Sequence, residues 1–193
     1  SSLADGNNIS RVTEIIGSEP ARRFVVVSAP GKRYSDDTKV TDLLYACYQE
    51  CVEKGSCADT FQKIRRRFHS IVSELGMETF DIESILNETE RAIEENKSAD
   101  FTASRGEYLN ARIVAAKLGW AFVDAKDIIF FDKNGRFDES RSYPLIEKTL
   151  SASGCAVVPG FYGTGADGKI KTFSRGGSDI SGSIVARAMN ADV

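Results

Sequence analysis

Residues 22–33, RRFVVVSAPGKR, hold a short apolar, β-branched run that stops at Pro30 and Gly31. A run this short between breakers reads as a buried strand feeding a loop. Upstream, Leu3, Ile9, Val12, Ile15 and Ile16 recur at helical spacing, so the chain opens as helix, strand and loop. Downstream, residues 39–96 keep a helical pattern, with Gly55 and Gly76 at expected helix ends. Two or three helices are expected there, with RRRFH (65–69) as a solvated face.

Farther along, FTASRGEYLNARIVAAKLG (101–119) reads as a loop feeding a helix that stops at Gly119, and WAFVDAKDIIFF (120–131) reads as strand-like segments. A short helix is expected over 145–150 and a buried strand in GCAVVPGF (154–161). GFYGTGADGKIKTF (160–173) has the glycines of a hairpin or long loop. A last helix, with small residues on one face, is expected over 180–189. Strands separated by helices predict an α/β domain with a mostly parallel central sheet between helical layers. Ligands of such sheets bind beyond the strands' carboxyl ends. That places SAPGKR (28–33), TASRGE (102–107) and the region from PGFYG (159–163) to RGGSD (175–179) at a common site.

The chain has 193 residues, 41% of them hydrophobic, enough for one sizeable core or two small ones, with one domain as the default expectation. Its formal charge of −3 and lack of a basic stripe argue against a nucleic-acid partner. No apolar run approaches a membrane span, and SSLADGNN at the start lacks signal-peptide character, so a cytoplasmic protein is expected. Four cysteines, Cys47, Cys51, Cys57 and Cys155, are too few and too uneven for a disulfide framework and read as buried free thiols. Cys47 and Cys51 lie at i, i+4, but the single histidine, His69, sits in a separate basic stretch, so no metal site is expected.

The segment SRGGSDISG (174–182) places a guanidinium, two glycines, a hydroxyl and a carboxylate before a helix. Gly176 and Gly177 allow a ligand close to the backbone, and the following helix start favours an anion. Arg175 offers a planar fork for a carboxylate or phosphate. Asp179 suits an ammonium group and equally suits the N-cap of the last helix. Glu107, in SRGE, reads either as a first-turn acid favoured by the helix dipole or as a second ligand for an ammonium. An arginine and two acids at separate strand-to-helix junctions are the donors and acceptors that would clamp an amino acid.

The strings SSLAD (1–5), VVVSAPGKR (25–33), KVTDLL (39–44), SRGE (104–107), PGFYG (159–163) and SRGGSDISG (174–182) resemble, in that order, the aspartokinases of the amino acid kinase fold. The resemblance implies a three-layer αβα sandwich, incomplete here, and transfer of the γ-phosphoryl group of MgATP to the side-chain carboxylate of L-aspartate. This reaction opens lysine, threonine and methionine biosynthesis. By motif match, Arg175 holds the substrate α-carboxylate, and Glu107 and Asp179 lie near its ammonium. Ser28, Thr41 and Ser178 lie near the reacting end, with Thr41, Ser178 and Asp179 as the catalytic set, and Phe161 walls the pocket. A homodimer is implied for the full-length protein.

The family usually begins V-x-K-F-G-G-S-S and continues past N-A-D into a W-T-D-V-x-G segment, a second lysine and regulatory ACT domains. Residues 1–193 therefore correspond to the aspartate-binding half of a catalytic domain, and this stretch by itself is expected to be inactive. Alternative readings are an amino acid kinase with glutamate or N-acetylglutamate as acceptor, and a non-catalytic amino acid-binding relative.

Overall fold

A computed structural model describes residues 3–174 and 176–192. Helix α1 (Gly6–Gly17) precedes strand β1 (Phe24–Val27), and helices α2 (Val40–Lys54), α3 (Ala58–Glu74), α4 (Ile82–Asn96) and α5 (Ala99–Leu118) follow. The chain continues through β2 (Ala121–Phe122), the short α6 (Ala125–Ile128), α7 (Glu139–Ser153), β3 (Ala156–Pro159), the hairpin strands β4 (Tyr162–Thr164) and β5 (Ile170–Thr172), and α8 (Gly177–Ala188). Gly55 caps α2 with φ 83° and Gly119 caps α5 with φ 67°, both left-handed, as glycine allows.

Among the described residues, β1, β3 and β2 form a parallel sheet in the order β1-β3-β2. Phe24 pairs with Ala156, Val25 with Val157, and Ala121 with Ala156. Strand side chains alternate between faces, and here the alternation separates two cores. Val25, Val27, Phe122 and Val157 pack with the helical layer that includes α2, α3, α4 and α5. Phe24, Val26, Ala156 and Val158 pack on the other side with residues of α6, α7 and α8. A parallel sheet covered on both faces is the expected three-layer αβα arrangement. Strands β4 and β5 form a separate antiparallel hairpin, tied to α5 where Thr172 Oγ1 donates to Asp100 Oδ1 at 2.7 Å.

Five local expectations need correction. The segment 101–119 is helical from Ala99 onward, because Ser98 caps the helix through the Phe101 N–H and Asp100 is its first-turn acid. SRGE therefore lies inside α5, and Glu107 is two turns from the helix start. The helix α8 begins at Gly177 with Gly176 as its cap at φ 58°, so Asp179 is a first-turn residue and not the N-cap. RRRFH is only partly a solvated face: Phe68 is fully buried, and Arg67 is 5% exposed. The helix expected over 145–150 extends to Glu139–Ser153 with Pro144 inside it, and WAFVDAKDIIFF contains α6 beside its short strand.

The cysteines are free; Cys47, Cys51 and Cys57 are buried. Among the described residues, no group of three or more His, Cys, Asp or Glu could hold a metal ion, and no helix is long and apolar enough to cross a membrane.

Candidate amino acid-binding site

A cleft of about 290 Å³ opens at the carboxyl end of β1. It is lined by Ser28, Thr41, Glu107, Phe161, Ser178 and Asp179, every described residue that the sequence nominated. Arg175 lies outside the described residues. Elements distant in sequence meet here: the end of β1, the first turn of α2, the middle of α5, the link from β3 to β4, and the start of α8.

Ser28 follows β1 directly, and its carbonyl accepts from Asn110 Nδ2 of α5 at 2.7 Å. The loop and α5 approach so closely that only glycine fits at 106. A Cβ there would stand 2.8 Å from Ala29 Cβ and 3.2 Å from Leu44 Cδ1. The glycine of SRGE thus lets the cleft wall pack against α5 rather than softening a helix start.

Glu107 is 5% exposed, and among the described residues its Oε2 has no hydrogen-bond partner. Burial lifts its carboxyl to about 7, against the opposing pull of the Ala29 and Glu107 backbone N–H groups and of Arg105. A buried carboxyl with an open oxygen on a cleft is a natural acceptor for a cationic group. Arg105 does not serve this cleft. Its guanidinium sits 4.4 Å from the Phe101 ring centre, 4.5 Å from Tyr108 and 5.3 Å from Tyr162, tying α5 to β4.

Phe161 adopts φ 80°, a left-handed conformation that costs a bulky residue on the order of 1–3 kcal/mol. Three hydrogen bonds surround it. Its N–H donates to Ser181 Oγ at 3.0 Å, its carbonyl accepts from Phe173 at 2.9 Å, and the Gly160 N–H donates to Val27 at 2.9 Å. The ring lies against Gly177, where a Cβ would meet Phe161 Cδ2 at 2.5 Å. Gly177 is thus required for packing on Phe161. The first N–H groups of α8 have no acceptor within the helix, and Asp179 adds a carboxylate to its first turn. The free N–H groups at the start of α8 suit an anion, and the carboxyls of Glu107 and Asp179 suit a cation.

The sequence matches the amino acid kinase family over residues 1–193. The chain belongs to the amino acid kinase family. Aspartokinase 3 of Bacillus subtilis is 37% identical over 206 residues, covering 100% of this chain and 45% of that protein. The crystal structure of Clostridium acetobutylicum aspartate kinase superposes with a TM-score of 0.96 at 47% identity, covering 100% of this chain and 44% of that one. Escherichia coli aspartokinase III, solved in complex with lysine and aspartate, shares the fold at a TM-score of 0.78 and 22% identity, covering 99% of this chain and 46% of that one. The chain spans less than half the length of these relatives.

Within this family member, sequence reasoning passed over Lys39, which also lines the cleft. The available signal was its place in KVTDLL, two residues before Thr41.

Proposed function

We propose that this chain belongs to an aspartate kinase, transferring the γ-phosphoryl group of ATP to the β-carboxylate of L-aspartate to give 4-phospho-L-aspartate. The observation that carries this reading is Glu107: a buried carboxyl whose Oε2 has no hydrogen-bond partner among the described residues, lining a cleft that the start of α8 also lines. In this reading Glu107 receives the substrate ammonium, assisted by Asp179, and Arg175 takes the α-carboxylate in a bidentate grip. Phe161, held against Gly177, forms a rigid wall for the short side chain.

The β-carboxylate then points to Thr41, Ser178 and the N–H groups of α8, with Ser28 beside them. These groups orient the attacking oxygen and neutralise charge as the phosphoryl group moves, which is the protein's main task in such a transfer. The same helix start fits a phosphoryl oxygen. Magnesium, arriving with the nucleotide, supplies further charge neutralisation. In this reading the full-length protein works in the cytoplasm as a homodimer, with residues 1–193 contributing the amino acid side of the site.

The test is hydroxamate trapping of acyl phosphate by the full-length protein with ATP and L-aspartate, L-glutamate or N-acetyl-L-glutamate in parallel. Product with aspartate alone supports the reading. Product with only another acceptor, or with none, overturns it.

A further inference from the structure

The loop between β1 and α2 is fastened by a charge network whose charged side chains do not line the cleft. Arg67 of α3 donates from Nη1 to Asp37 Oδ2 at 2.6 Å and from Nη2 to the Gly31 carbonyl. Asp37, 9% exposed, also accepts from Arg33: the backbone N–H at 3.0 Å, Nε at 2.8 Å and Nη2 at 3.0 Å. These donors hold the Asp37 carboxyl well below the usual carboxylate range, those of Arg33 first. At the loop's neck the Val40 N–H donates to the Pro30 carbonyl at 3.2 Å. Pro30 and Gly31 line the cleft on one arm of the loop, and Lys39 and Thr41 on the other.

A buried Arg–Asp pair contributes little net stability, because desolvation offsets the attraction. Arg67 even leaves its buried Nε without a hydrogen-bond partner among the described residues, while its other nitrogens reach Asp37 and Gly31. Such an arrangement is poor as a stabiliser and effective as a constraint on loop shape.

We propose that Arg67, acting through Asp37 and Gly31, is a positioning residue that fixes the wall of the amino acid pocket; this rests on reading the cleft as the aspartate site. An apolar side chain at 67 releases the Gly31 carbonyl. It also leaves Asp37 with Arg33, whose side chain is 35% exposed and screened by water. The arms of the loop then lose their common anchor, and the pocket loses preorganisation towards its ligand.

The test uses the full-length protein with Arg67→Met and Arg67→Lys, measuring KM for aspartate and for MgATP separately. The expected result is an aspartate KM raised by about tenfold in Arg67→Met and less in Arg67→Lys, with MgATP KM within about twofold of wild type. A purely structural role lowers thermal stability and the amount of active enzyme but leaves both KM values unchanged; that result overturns the proposal. If Arg67→Met does not fold, Arg67→Lys, which keeps the charge but not the two-pronged geometry, carries the same comparison. A wild type that turns over no aspartate overturns the functional reading and this proposal together. An active wild type with unchanged aspartate KM in the variants overturns this proposal alone.

Discussion

Glu107 Oε2 is buried without a hydrogen-bond partner among the described residues, and burial lifts the carboxyl to about 7. At pH 7 about half of the free protein then carries a proton there. A ligand ammonium favours the carboxylate, so aspartate binding at pH 7 is predicted to release about half a proton. Titration calorimetry in buffers of different ionisation enthalpy measures this, and zero release contradicts it. The same shift has a stability consequence of definite sign. A carboxyl raised from 4.5 stabilises the fold fully below its unfolded value, and that contribution is lost as pH rises through about 7. The ligand-free protein should therefore weaken by on the order of 3 kcal/mol across this window, and Glu107→Gln should flatten the profile in urea melts at pH 5 and 8. Sequence nominated the acid in SRGE for the site, but did not reveal that it is buried. The helix dipole offered for it does not reach two turns into α5.

At the scale of elements, α5 decides how the cleft is built. Twelve of its residues are buried, including Ser104, Arg105, Glu107 and Asn110, so it carries no apolar stripe. That is why its first turns read as a loop, whereas β1, β3 and the helices of 39–96 were legible from apolar runs and glycine caps. Pro144 obscured α7 similarly, since proline inside a helix is rare, and Gly176 and Gly177 hid the start of α8. Gly106 tests the packing account, because its sign is opposite to the helix-propensity rule. Alanine at an open helix position stabilises by about 1 kcal/mol, whereas a Cβ here collides with Ala29 at 2.8 Å. Gly106→Ala is predicted to destabilise by about 1–3 kcal/mol and to weaken aspartate binding through displacement of Ala29. A stabilised variant with normal affinity refutes the close-approach argument.

For the whole molecule, the sheet divides two hydrophobic cores, with Val157 in one and Val158 in the other. Ile64 and Ile146 are each fully buried, one per core. Ile→Val at each should cost about 0.5–1.5 kcal/mol, and the double variant should equal their sum to within about 0.5 kcal/mol, since the two share no core. Urea titration decides this; a coupling well above that margin means the sheet does not separate them. The layered fold was legible because alternating apolar strands between helices admit few other packings. The cleft was legible as residue types, but the Arg67–Asp37 anchor was not, because RRRFH looks like solvated charge until α3 meets the loop. In the proposed function this cleft holds aspartate by its ammonium on Glu107. Calorimetric titration of L-aspartate into the full-length wild type and Glu107→Gln at pH 8 tests it most directly. Affinity at least about tenfold weaker in the variant, with no loss of thermal stability, is expected, and equal affinity in the two proteins rules out the Glu107 contact.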